Sequence, residues 1–282
     1  MTITVSQIWI YPLKSCRGIP LNQAEVTPKG FKWDREFMFV DENGQFLTQR
    51  KYPDLARIKV EIADNALSLT AEDSNLETIQ LQPTLEGKEI PVTVWRSHVT
   101  AIDQGNKVAD WLQKFLHETR NFRLVRQSPQ YPRSVNPQYA IAEDNTVSFA
   151  DGYPFLLTAT ASLAELNKRI KEHYQNEKQQ VLMQRFRPNL VIKTEEAFWE
   201  EKYQNMQIGE VTFALVKSCD RCIITTTDQI TGKRNEQQEP LRTLGTFRKF
   251  PSQGILFGEN LIPHNIGTIK VGERVTFMNA SC

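Results

Sequence analysis

The chain has 282 residues, 40% of them apolar and 24% charged, with a net charge of +1. That length supports a large core and two domains or one long mixed unit. So balanced a charge gives no global pull toward nucleic acid or an anionic membrane, so any basic function must be a local cluster.

The N-terminal stretch MTITVSQIWIYPLKSCRG alternates into a strand within ten residues and lacks the charged start and continuous apolar core of a signal peptide. No run of about 18 apolar residues occurs, so no membrane-spanning helix is expected. Four cysteines, two of them in a CxxC, do not make a disulfide framework, and a reducing, cytoplasmic compartment is expected. The segments ITVSQIWIYPL, EFMFVDENGQFLTQR, RIKVEIADNALSLTA, ETIQLQP and VTVWRSHVTAID are rich in Val, Ile, Thr and aromatics. DENGQ (Asp41 to Gln45) and ADNA supply hairpin turns, so an antiparallel, barrel-like unit is expected over about the first hundred residues.

A helix follows, with Val108, Trp111, Leu112, Phe115 and Leu116 on one face. NFRLVRQ reads as a strand, and residues 128–154 as a long, proline-containing irregular stretch of the kind that forms binding loops. A second helix begins at TASLAELNKRI, where Ser162 and Glu165 have capping-box spacing and Leu163, Leu166 and Ile170 form the apolar stripe. After RFRPNLVIK the chain returns to strands at GEVTFALVK, RCIITTTD, ILFGENLIP and GTIKVGERVTFM. The expected class is α+β and strand-rich, with a few peripheral helices and two successive β-centred units.

Cys219-Asp220-Arg221-Cys222 raises the question of chemistry. A closed zinc site needs four Cys or His ligands, usually in two close pairs, and His98, His117, His173 and His264 form no such pair. A thioredoxin-like dithiol sits at the start of a helix, whereas IITTT after Cys222 reads as a strand former. Two buried cysteines at a strand start are the plain structural alternative. Arg221 beside Cys222 favours thiolate, and a soft thiolate suits a heavy metal. Lys14-Ser15 in YPLKSC, Arg35 in WDREF and Arg187 in FRPN are suited to an oxyanion, though each alone also reads as a solvated charge.

Taken in order, YPLKSCRG, WDREFM, QRKYPDLARI, FADGYPFLLTATASLAELN, RFRPNLVI, CDRCIITTTDQITGKR, EPLRTL, LFGEN and GTIKVGERV resemble the molybdenum cofactor sulfurase C-terminal (MOSC) domain family. The likeness includes that family's N-terminal β-barrel domain, as in the amidoxime-reducing components and their bacterial counterparts, and it implies that domain over residues 1–120 and a MOSC β-barrel domain with peripheral helices over 121–282. It implies that Cys222 gives a thiolate to the molybdenum of a pyranopterin (molybdopterin) cofactor, with Asp220 and Arg221 lining the cofactor and Cys219 accessory. Lys14, Ser15, Arg35, Arg187 and Asn189 would contact the pterin and its phosphate. Gly152 and Tyr153 would contribute from the loop before the second helix, where relatives carry hydroxyl residues. Asn260 stands where relatives place a tyrosine.

The resemblance further implies reduction of N-hydroxylated small molecules (amidoximes, hydroxylamines, N-hydroxypurines). Its alternative is a cofactor-binding or sulfur-carrier protein in which Cys222 carries persulfide sulfur. Pyridoxal phosphate binding also belongs to the family's general description. Mitochondrial relatives begin with a targeting and anchoring segment that the sequence does not show, so no membrane association is expected. After Cys222 only Cys282 remains, too few cysteines for a [2Fe–2S] cluster. Electrons are therefore expected from a separate ferredoxin-, flavodoxin- or cytochrome-type donor with its reductase.

Overall fold

The first strand, Thr4–Ile10, turns Val5, Ile8 and Ile10 into the core at a spacing of three and then two. A bulge between Val5 and Gln7 accounts for the extra residue. In the computed structural model, which describes residues 2–72, 74–176 and 179–279, this strand lies between Ile19–Leu21 and Leu190–Lys193. Cys282 lies outside the described residues.

The sheet continues through Phe155–Ala159, Gly254–Pro263, Val211–Asp220, Asn205–Ile208 and Val275–Met278. Its far edge returns to the first strand: Thr4 bridges Arg274, and the Val275 N–H donates to the Ile3 carbonyl at 2.9 Å. The sheet is thereby closed into a barrel, with Phe31, Phe155, Leu190 and Phe213 among its buried filling.

A second unit contains a four-stranded sheet in the order Phe37–Val40, Arg123–Gln127, Ser97–Asp103 and Glu89–Val94. Beside it stands the meander Ile58–Ala63, Ala66–Ala71, Ile79–Leu81. Asp64 and Asn65 both take positive φ, the conformation that a two-residue hairpin turn demands. Helix α1, Asn106–Leu116, buries Val108, Trp111, Leu112 and Phe115 against this unit, with Leu116 partly buried. Helices α2 (Thr160–Tyr174) and α3 (Leu241–Phe247) pack together outside the large sheet through Leu166, Ile170 and Leu244.

The strand-rich class with two β-centred units and peripheral helices is what the structure has, but pairing crosses residue 120. Thr4–Ile10, Ile19–Leu21 and Gln23–Thr27 pair with strands of the C-terminal half, and Arg123–Gln127 belongs to the four-stranded sheet.

Two local expectations are corrected. No side chain caps α2, because the strand Phe155–Ala159 runs straight into it. Ser162 instead accepts the Phe198 N–H at 2.8 Å and donates to Glu200, while Glu165 pairs with Arg169. And Ile223–Thr226 is a single 3-10 turn, held by Thr225 and Thr227 N–H groups on the Cys222 and Ile224 carbonyls, not a strand.

Candidate active site

One cavity of about 860 Å³, mouth included, lies where the two units meet. All eleven residues expected from sequence, from Lys14 to Asn260, line it. Four segments supply most of them: the loop after the first strand, the end of the long loop at 150–153, the turn before Leu190–Lys193, and the end of Val211–Asp220.

Three of these residues (Ser15, Arg35 and Arg187) hold positive φ although none is glycine, a strain that the surrounding contacts must maintain. For Arg35 those contacts are dense. Its N–H reaches the Tyr11 carbonyl, Nη1 donates to Asp34 at 2.6 Å and Asn189 at 2.9 Å, and Nη2 donates to the Arg187 carbonyl at 3.0 Å. Asn189 is buried, and its amide is spent on Arg35, the Leu156 N–H and the Trp9 carbonyl. Its carboxamide oxygen thereby braces Arg35.

Arg187 sits near Arg35, and both guanidinium carbons lie over the Tyr11 ring, at 4.2 and 4.3 Å. Burial, then the neighbouring Arg35 cation, lowers the Arg187 pKa to about 10. Burial pushes the Tyr11 phenol up to about 12. Lys14 donates to the Phe149 carbonyl at 2.8 Å and to Asp151 at 2.5 Å. Burial brings its amine down to about 8, against the opposing pull of Asp151. Ser15 directs its hydroxyl to the Leu47 carbonyl at 3.1 Å.

Around the cysteines, Arg221 donates Nη1 to Cys219 Sγ at 2.8 Å and Nη2 to the Phe186 carbonyl at 2.6 Å. Burial raises the Cys219 thiol, with Arg221 opposing. Asp220 accepts the Ile255 N–H at 3.2 Å. Cys222 Sγ receives Arg50 Nη2 at 3.1 Å, and the Arg50 guanidinium lies 4.5 Å from the Trp95 ring. Arg50 Nη1 and Arg221 Nε are buried without a protein partner. Tyr153 is half-buried, and burial, with Tyr139 beside it, holds its phenol protonated well above neutral pH. Asn260 donates to the Lys217 carbonyl, and a Cβ added at Gly152 would meet nothing within 4 Å.

Sequence reasoning missed Arg50, Asp151 and Trp95, the groups that contact Cys222 or Lys14 or stack beside them. Arg50 and Asp151 lie inside the stretches QRKYPDLARI and FADGYPFLLTATASLAELN, which carried the resemblance without a role for either residue. Chemically the cavity offers a thiol, an unpartnered guanidinium nitrogen (Arg221 Nε) and a buried cation set. It is suited to a large anionic group bearing a thiophilic centre.

The model for the MOSC N-terminal beta barrel domain matches residues 2–119, and that for the MOSC domain matches residues 144–276. The chain is 33% identical over 285 residues to mitochondrial amidoxime-reducing component 1 of Mus musculus, covering 96% of this chain and 81% of that protein. For the Homo sapiens protein of the same name the identity is 32% over 287 residues, covering 96% and 82%. It is also 33% identical over 256 residues to molybdenum cofactor sulfurase of Danio rerio, covering 87% of this chain and 30% of that protein.

Proposed function

This chain belongs to the MOSC family, with a MOSC N-terminal β-barrel domain ahead of the MOSC domain, and from that membership we propose a molybdenum-cofactor-dependent reductase of N-hydroxylated small molecules. The observation that carries the reading is the gathering of Cys222 with Lys14, Arg35, Arg187 and Arg221 around one cavity, where Arg221 Nε is buried without a protein partner. An anionic cofactor would answer it.

In this reading Cys222 supplies the metal's thiolate, and Arg50 braces its sulfur. Lys14, Ser15, Arg35 and Arg187 hold the pterin and its phosphate, with Asn189 fixing Arg35. Asp220 and Arg221 border the cofactor near the metal, and Gly152, Tyr153 and Asn260 complete the wall. When bound, the molybdenum cofactor supplies the two-electron chemistry that, with two protons, converts an N-hydroxyl compound into the amine or amidine and water. The chain's residues bind and orient, and Tyr153 enters the wall as a hydrogen-bond donor. Lys14 is tied to Asp151 and the Phe149 carbonyl, which favours an ion-pairing role over an imine with pyridoxal phosphate.

Electrons come from a separate carrier of ferredoxin, flavodoxin or cytochrome type. Cys16, Cys219 and Cys222 are free thiols, as a reducing compartment would keep them. Among the described residues no helix is long and apolar enough to cross a membrane.

Reduced methyl viologen and an aryl amidoxime test the reading. Amidine should form with wild-type protein from a cofactor-competent host and not with Cys222→Ser. Molybdenum-loaded wild type that forms no amine or amidine from amidoximes, hydroxylamines or N-hydroxypurines would sink the reductase. The likeness to the sulfurase favours a second reading, sulfur carriage on Cys222, and labile sulfur on metal-free protein would support it.

A further inference from the structure

The wall that carries Cys222 has an outer face, and that face is basic. Arg50 links the two sides: its Nη2 reaches the sulfur of the cavity residue Cys222 at 3.1 Å, and Arg50 itself lines an open surface cleft. The charged residues of the cleft are Arg50, Lys51, Arg57, Lys233 and Arg234 against one carboxylate, Asp54. Asp54 is already paired with Arg57 at 3.2 Å, while Lys51, Lys233 and Arg234 are exposed. In a chain of net charge +1 this is a local concentration, and a concave surface of one sign focuses its field on an approaching partner.

The cleft is also preformed. Its walls come from both units, the turn at Pro53 and the loop at Thr231 to Arg234. Asp228 accepts the N–H groups of Ile230 and Thr231 at 3.0 and 2.8 Å, fixing that loop. Arg234 Nη2 reaches across to the Gln49 carbonyl at 3.2 Å.

We propose that this cleft is the docking surface for an acidic one-electron carrier protein, an inference that rests on the reductase reading. A carrier seated there stands one guanidinium away from the Cys222 sulfur. Weak electron-transfer contacts are small, and charge complementarity supplies their on-rate and register, which suits a compact basic cleft. Among the described residues no aromatic side chain lines it, in contrast to the stacking platform of a single-stranded nucleic acid site. The balance is simple: two carriers each lose one electron, and the substrate gains both, takes up two protons and releases water.

The test uses the full-length chain and two labelled acidic probes, a plant-type [2Fe–2S] ferredoxin and a flavodoxin, with Kd read by fluorescence anisotropy. Wild type should bind at least one of them at low salt. Lys51→Glu combined with Lys233→Glu should weaken that binding by at least about tenfold, the gap shrinking to about twofold in high salt. Lys107→Glu with Lys168→Glu, outside the cleft, should change Kd less than about twofold under the same conditions. Equal loss in both double variants, binding of neither carrier, or binding only of a single-stranded DNA oligonucleotide would overturn the proposal. Viologen-driven turnover separates the two failures. If wild type reduces an amidoxime with viologen while carrier binding ignores the cleft, only the docking surface falls; if viologen drives no turnover, the functional reading falls.

Discussion

Arg50 Nη1 and Arg221 Nε show what single residues contribute here: each is a buried donor without a protein acceptor. Leaving such a group unpaired costs about 1–3 kcal/mol, more when charged, and of the two residues Arg221 lines the cavity, where an acceptor from outside could reach it. Arg187 is the sharper case, since burial and Arg35 together lower its pKa. Arg187→Ala should therefore leave the chain folded but weaken pterin retention through lost charge-assisted hydrogen bonds, worth about 1.5–3 kcal/mol. Full pterin occupancy after extended dialysis would remove Arg187 from the cradle. Gly152 tests the opposite wall. A Cβ there meets open space, so Gly152→Ser should fold with a melting temperature close to wild type and retain the pterin at least as well. A large loss of either would mean that the backbone at 152 needs the glycine.

At the scale of elements, Gly254–Pro263 carries the cavity residue Asn260 and, next to it, the buried Glu259. Burial, then Glu201 and Glu200 nearby, raises the Glu259 carboxyl to about 8, and burial raises that of Glu200 to about 7. Both ordinarily titrate at 4.5, so the folded chain holds more protons than the unfolded chain between that pH and about 8. Stability from these groups is present in acid and lost as pH rises through 7 to 8. The melting temperature of Glu259→Gln should fall less than that of wild type over the interval; parallel curves would contradict the assignment.

The elements themselves were legible wherever one face repeats. The α1 stripe and the hairpin at Asp64-Asn65 follow directly from side-chain spacing and turn chemistry. Ser162 and Ile223–Thr226 were not, because neighbours decide them. A turn packed against α2 recruits the Ser162 hydroxyl, and hydrogen bonds onto the Cys222 and Ile224 carbonyls curl a β-branched run that alone favours a strand.

Across the whole molecule, the two units are locked by a buried amide pair. Gln49 and Gln229 exchange hydrogen bonds at 3.1 Å in both directions, and Gln229 also accepts Arg187 Nη1 at 3.1 Å. Gln229→Ala should cost about 1–3 kcal/mol in denaturant unfolding, because it leaves the buried Gln49 Oε1 without the Gln229 donor. A loss within error would show that the units are held by their apolar contacts instead. Nothing in local spacing pairs residue 49 with residue 229, or brings Lys14 and Cys222 to one cavity; ordered likeness to a family carried the second step and not the first. Even so it passed over Arg50, whose meaning is visible only once the fold sets it on the Cys222 sulfur.

The measurement that bears most directly on the account is molybdenum and pterin content of protein purified from a cofactor-competent host. Wild type should carry close to one of each per chain. Cys222→Ser should fold yet lose the metal, because a hydroxyl is a hard, poor substitute for a thiolate, and Cys219→Ser should keep most of it. Metal-free wild type with labile sulfur on Cys222, or equal loss from both cysteine variants, would contradict it.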